Sequence, residues 1–195
     1  MASLHNAPGE PEDVESLGPP GDPDEVARIV CLRLLDRRAY SRAELATAMR
    51  KRGVPPEAAE RVLDRFTHLA LIDDAALADG YALAQHRERG LAARAVAAKL
   101  RRRGIDDETV QSAVDQLDRD KEEAAARAIV ERRLRSLAGL EPAVQIRRLA
   151  GVLARKGYAP GLVNQVVRAA VPASRGSRDD DWELGELEGS DGTDD

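Results

Sequence analysis

The sequence predicts an all-α fold: three tandem three-helix units, each helix-turn-helix-like, in an elongated, curved array with disordered acidic tails. Three observations predict it. A basic, glycine-centred motif recurs as MRKRGVPPE, LRRRGIDDE and LARKGYAPG around Gly53, Gly104 and Gly157, at spacings of 51 and 53 residues, and self-similarity at a near-fixed period marks a stacked repeat architecture. Apolar stripes of helical period flank every copy. No run alternates at period two over a strand's length.

Each unit opens with an apolar-periodic segment, Glu25 to Arg37, Asp74 to Arg89 and Lys121 to Leu137. The second helix of a unit ends at its hinge glycine. Its stripe is Leu45, Ala46 and Met49 in the first unit, Val96, Ala97 and Leu100 in the second, and Leu149, Ala150 and Leu153 in the third. In the first unit Ser41 and Glu44 have the spacing of a capping box that starts this helix. If each glycine is the left-handed residue of a Schellman end, the following residue packs four positions before the glycine. The pairs are Val54 with Met49, Ile105 with Leu100, and Tyr158 with Leu153.

The third helix starts two residues on, with Pro56 and Pro160 at the first helical position and Asp106 as an N-cap. Its apolar face is Ala58, Ala59, Val62, Leu63 and Phe66, then Val110, Ala113, Val114 and Leu117 with Thr109 as the polar exception, then Leu162, Val163, Val166, Val167 and Ala170. The expected organisation is a tail at 1–22, units at 23–72, 73–117 and 118–172, and a tail at 173–195. Units of this size bury little surface alone and gain stability from their neighbours in a row.

Composition agrees with that body plan. The 195 residues are 43% hydrophobic and 33% charged but only 3% aromatic, so the core is small aliphatic packing. Cys31 is the single cysteine, which rules out an internal disulfide, and its apolar neighbours Val30 and Leu34 predict burial. No apolar run reaches the roughly 20 residues of a membrane span, and the N-terminus lacks a signal-peptide pattern. A cytoplasmic location is expected. The net charge of −5 hides an asymmetry: 1–22 carries −5 and 173–195 carries −7, leaving +7 on the body. Both ends are too poor in periodic hydrophobes to offset the entropy of ordering. Trp182, within the acidic DDDWELGELEG, reads as part of a solvated tail.

Chemistry at a catalytic centre is poorly supported. His5, His68 and His86 have no metal-ligand spacing, no Gly-rich loop ends in Lys-Ser or Lys-Thr, and HRERG at 86–90 lacks a nucleophile. IDDAALAD offers carboxylates at Asp73, Asp74 and Asp79; Asp73 or Asp74 is expected to cap the following helix, with metal binding or acid-base chemistry the lesser reading. No catalytic residue, metal or cofactor is expected. The basic triplets before the glycines are a different matter. Arg50, Lys51 and Arg52, then Arg101, Arg102 and Arg103, then Arg155 and Lys156 exceed the one or two cations that complement a helix C-terminus, and Arg132, Arg133, Arg135, Arg147 and Arg148 thicken the basic field of the third unit. Taken alone, these residues fit a solvated, helix-capping face and an anionic partner equally well. Without aromatic platforms or a base-reading set, any nucleic-acid contact would be phosphate-directed, unspecific and salt-sensitive.

The stretch from YSRAELATAMRKRGVPPE through LALIDDAALADG to LRRRGIDDETVQSAV resembles the RecX family of bacterial recombination regulators. It carries the Ser-Arg-x-Glu-Leu start, the Arg-Gly-Val hinge, the Leu-Ile-Asp-Asp link and a second Leu-Arg-x-x-Gly hinge. The resemblance covers about residues 24–171 and is looser in the third unit. Leu77 stands where the family usually has Phe, and Tyr81 where Trp or Phe is common. The acidic tails lie outside what the family predicts.

The resemblance implies a negative modulator of RecA. Such a protein binds RecA and its filaments on single-stranded DNA, lies along the filament groove, and inhibits ATP hydrolysis, strand exchange and filament extension in DNA repair, recombination and the SOS response. It would act as a monomer, by occupancy. Arg50, Lys51, Arg52, Lys99, Arg101, Arg102, Arg103, Arg155 and Lys156 are the candidates for an acidic RecA surface or DNA phosphate. The alternative is a helix-turn-helix DNA-binding regulator. Against it, the helices after Gly53 and Gly104 begin VPPEAAE and IDDETVQ, acidic at the end that would enter a major groove.

Overall fold

The structure, a computed structural model, describes residues 21–171. The expected tails at 1–22 and 173–195, with His5 and Trp182, fall almost wholly outside that range. Among the described residues the regular structure is helical: α1 (Pro23–Leu35), α2 (Arg42–Arg50), α3 (Pro56–His68), α4 (Asp74–Arg89), α5 (Ala93–Arg102), α6 (Asp107–Asp115), α7 (Arg119–Leu134), α8 (Pro142–Arg155) and α9 (Pro160–Ala170), with a 3-10 turn at Arg135–Leu137. The opening helices of the first and third units start two residues earlier than the periodicity predicts, because caps precede the stripes. Asp22 accepts from the Asp24 N–H with Pro23 at the first helical position, and Asp118 accepts from the Lys121 N–H.

All three hinges are Schellman ends. Gly53, Gly104 and Gly157 have φ of +73°, +78° and +89°. The N–H of each glycine donates to the carbonyl three residues back (Arg50, Arg101, Ala154), and the next N–H donates to Met49, Leu100 or Leu153 at 3.2, 3.4 and 3.3 Å. The residues that follow, Val54, Ile105 and Tyr158, are buried with those partners. Two α-helical carbonyls are thereby satisfied at each turn, and the chain is re-aimed for the third helix. Pro56 and Pro160 start α3 and α9, and Asp106 caps α6 through the Thr109 N–H at 2.9 Å. Ser41 and Glu44 close the capping box on α2.

The core is three separate clusters, one per unit. Leu45, Met49, Leu63 and Phe66 centre the first; Val96, Leu100, Val110 and Ala113 the second; Leu149, Leu153, Val163 and Val167 the third. Cys31 is fully buried against Met49, with Sγ 3.8 Å from Sδ, and burial pushes its thiol up to about 11. One residue crosses a boundary. Ala92, on the link between α4 and α5, is buried in the core of the third unit, so the second unit is strapped to the third by its own loop.

Candidate functional site

The surface available to a partner depends on how the units join, and the two joints share one design. In the first, the carbonyl of Arg103, at the end of α5, accepts a hydrogen bond from Ser41 Oγ at 2.6 Å. Ser41 is the N-cap of α2, so the carbonyl-bearing end of one helix abuts the N–H-bearing end of another, a favourable alignment of their dipoles. The Arg42 N–H, first in α2, donates to the Asp74 carboxylate of α4 at 2.9 Å. In the second joint the carbonyl of Lys156, at the end of α8, accepts from the Ala92 N–H at 3.0 Å. The Ala93 N–H, first in α5, donates to Glu122 of α7 at 2.6 Å. In each case an acid from the following unit caps an otherwise orphaned helical N–H.

The hinge glycines serve these joints as well as the turns. A Cβ at Gly157 would stand 2.6 Å from the Ala95 Cβ and 3.0 Å from its nitrogen, and one at Gly104 would fall within the Ala43 methyl. Gly53 has open space around it. Glycine at 104 and 157 therefore allows backbone to meet helix across a unit boundary, a demand that the first hinge does not share.

The nine basic candidates are accordingly not equivalent. Arg103 lies within the first joint, its side chain 16% exposed. Its guanidinium donates to Glu44 at 2.8 and 3.2 Å and to the Ala39 carbonyl at 3.1 Å, and sits 5.4 Å over the Tyr81 ring. Lys156 lies in the second, where Nζ donates to the Arg89 carbonyl, and the Tyr158 hydroxyl donates to the Gly90 carbonyl at 3.1 Å. Arg101 forms an exposed ion pair with Asp107 at 2.6 Å. Arg50, Arg52 and Arg102 are exposed and their side-chain hydrogen bonds go only three or four residues back along the chain, to Thr47, Ala48 and Ala98. Lys51, Lys99 and Arg155 have no acidic partner among the described residues, and the Arg155 guanidinium folds back over Gly151 of its own helix.

The electrostatics follow the same division. Burial tends to raise the Glu44 carboxyl, but hydrogen bonds from Arg103, Arg38 and the Ser41 N–H outweigh it and hold the group down at about 2. Asp74 is shifted the other way by burial, against the hydrogen bond from the Arg42 N–H. The carboxylates of IDDAALAD are all engaged: Asp73 caps α4 through the Ala76 N–H at 2.8 Å, Asp74 serves the joint, and Asp79 accepts from Gln116 at 2.6 Å. His86 Nδ1 lies 2.9 Å from the Leu91 carbonyl. Among the described residues no group of His, Cys, Asp or Glu is placed to hold a metal ion, and no helix is long and apolar enough to cross a membrane.

Sequence reasoning missed the joints and two shallow clefts. One, lined by Arg42, Thr67, Asp73 and Asp74 among others, has its one cation already taken, since Arg42 is paired with Glu60 at 2.5 Å and Asp64 at 2.7 Å. The other lies between α7 and α8 and has a volume of about 310 Å³. It is lined by Arg133, Arg147, Arg148 and Arg155 together with Ser136, Gly151 and the apolar Leu137, Leu149 and Val152, and by no carboxylate. The sequence signal was the thickened basic field of the third unit, which did not say that α7 and α8 bring these arginines around one recess.

Comparison with known proteins agrees with this architecture unit by unit. The family models for the RecX first, second and third three-helix domains match residues 27–66, 73–114 and 120–167. The chain is 47% identical over 162 residues to the regulatory protein RecX of Thermobifida fusca, covering 80% of this chain and 88% of that one. It is 49% identical over 153 residues to that of Streptomyces coelicolor, 78% and 81% covered, and 40% identical over 179 residues to that of Mycolicibacterium smegmatis, 90% and 95% covered. The crystal structure of RecX from Lactobacillus salivarius shares the fold, with a TM-score of 0.70 at 14% identity over 75% of this chain and 96% of that one. Three separately cored units, joined in a row and each matched to its own domain model, show that this chain belongs to the RecX family of regulatory proteins.

Proposed function

We propose that the protein is a negative modulator of RecA. It binds RecA and RecA filaments on single-stranded DNA and inhibits ATP hydrolysis, strand exchange and filament extension in DNA repair, recombination and the SOS response. The observation that carries this reading is the row of units itself. A filament presents repeated subunits and a phosphate chain over a long path, and a row of small helical bodies, each with its own core, can meet it at successive points. The protein works by occupying that path as a monomer in the cytoplasm, without catalysing a reaction.

In this reading Arg50, Lys51, Arg52, Lys99, Arg101, Arg102 and Arg155 are the contacts to acidic RecA surface or to DNA phosphate. Arg103 and Lys156 act through the joints by setting the spacing of the others. DNA contact is phosphate-directed and therefore unspecific and salt-sensitive, with no aromatic platform for stacking among the described residues. The test is DNA-dependent ATP hydrolysis by RecA with substoichiometric amounts of the protein. Hydrolysis and strand exchange should both fall, and unchanged rates of both would refute the reading.

A further inference from the structure

The α7–α8 cleft is unlike the other basic surfaces in being both recessed and unneutralised. Arg133 comes from the last turn of α7, while Arg147, Arg148 and Arg155 come from α8. None of the four has an acidic partner among the described residues, and Glu131 and Glu141 are the only acids of 124–171. Elsewhere some exposed arginines are paired, Arg28 with Glu25, Arg61 with Asp24, Arg101 with Asp107 and Arg127 with Glu123, and others, such as Arg50, Arg52 and Arg102, have no acidic partner among the described residues but stand out on helix ends. Gly151 sits inside α8, where glycine is unfavourable by nearly a full kcal/mol relative to alanine. Its missing side chain leaves the space along which Arg155 lies, since a Cβ there would stand 3.3 Å from the guanidinium nitrogen. The Ser136 hydroxyl donates to the Arg133 carbonyl at 2.7 Å and keeps its lone pairs. The field extends beyond the recess: Lys156 titrates below the ordinary lysine value, first through partial burial and then through repulsion by Arg132 and Arg133.

Four guanidinium groups without a carboxylate form a poor self-contained surface and a good oxyanion receptor, because each can present paired N–H donors to phosphate oxygens. We propose that this cleft is the chain's main phosphate site and takes consecutive phosphodiester groups of a nucleic-acid strand. The inference rests on the nucleic-acid contact in the reading above but moves its centre from the hinge triplets to a recess in the third unit. A strand suits the cleft better than a lone phosphate, because the arginines sit on both walls and along two turns of α8, more than one phosphate group can engage.

The experiment titrates the full chain with fluorescein-labelled oligo-dT across a salt series and compares two triple variants of equal charge change. One is Arg133→Gln, Arg147→Gln and Arg148→Gln. The other is Arg33→Gln, Arg65→Gln and Arg87→Gln, exposed positions outside the cleft. The cleft variant should bind roughly tenfold more weakly or worse, with a salt slope shallower by about two, as expected for three lost cations at about 0.7 each on a single strand. The second variant should stay near wild type. Circular dichroism and thermal midpoints matched to wild type show that both are folded, and Gly151→Ala, which only displaces Arg155, gives a milder form of the same loss.

Equal losses in both variants, or none in the cleft variant, would overturn the proposal. So would displacement of oligo-dT by pyrophosphate at equal phosphate concentration, which would make the cleft a small-anion pocket. Loss of RecA inhibition with oligo-dT affinity intact would overturn it as well, by turning the cleft toward protein. If wild type leaves RecA hydrolysis and strand exchange untouched while the cleft variant still loses oligo-dT, the RecA reading fails and the phosphate site stands.

Discussion

Ser41 Oγ donates to the carbonyl of Arg103 at 2.6 Å across 62 residues of chain. A capping serine, placed to start one helix, thus also receives the end of another. Around this contact Glu44 takes the Arg103 guanidinium and Asp74 takes the Arg42 N–H, so turn, cap and ion pair meet at one boundary.

The joint separates neighbouring arginines. Arg103→Ala strips Glu44 of its closest cation and leaves a half-buried carboxylate with Arg38 alone; a cost of about 2 kcal/mol is expected. Arg102→Ala, on the exposed side of the same helix, should stay within about 0.5 kcal/mol. Urea unfolding of the two variants checks this, and a cycle with Glu44→Gln should give a coupling for Arg103 and none for Arg102.

The hinge glycines should also part company. Gly53→Ala meets only the left-handed backbone and should cost about 1 kcal/mol. Gly104→Ala adds a collision with Ala43, worth roughly 1 to 3 kcal/mol more. Thermal midpoints that fall equally in both would show that the joint does not constrain the glycine.

Acid should loosen the first joint. Glu44 titrates at about 2 in the folded chain against an ordinary 4.5. A depressed carboxyl contributes stability that is fully present above its unfolded value and disappears as pH falls toward the folded one. The loss therefore falls between about pH 4.5 and 2 and is worth roughly 2 to 3 kcal/mol. Asp74, shifted upward by burial, acts in the opposite sense and offsets part of it. Denaturation from pH 5 downward should be steeper for wild type than for Glu44→Gln, and parallel curves would refute the assignment.

Gly151→Ala should stabilise the chain by up to about 1 kcal/mol through helix propensity, since the only atom in the way is the mobile end of Arg155. Calorimetry should show a higher midpoint together with weaker binding of oligo-dT.

Removal of the acidic ends, 1–22 and 173–195, should tighten DNA binding and steepen its salt dependence, because together they place −12 on a body of +7. Identical affinity with and without them would exclude competition by these segments.

The units were legible in the sequence because they are local. The stripe, the glycine, the apolar residue behind it and the cap before the next helix lie within about 25 residues, and each has a side-chain signature. The joints were not legible, because their parts are distant and partly anonymous. The Arg103 and Lys156 carbonyls and the Ala92 N–H are main chain, and Asp74 and Glu122 occupy different positions of their repeats. The basic surplus was visible as charge, but which cations are consumed in joints and which remain around a cleft depends on how helices from different parts of the chain meet.

Both joints need the first N–H of a second helix, that of Arg42 and that of Ala93, for an incoming acid. In the third unit that position is Pro142, which has no hydrogen to give. The proline is a punctuation mark: the start of α8 withholds the N–H that Arg42 and Ala93 offer to an acid of the next unit.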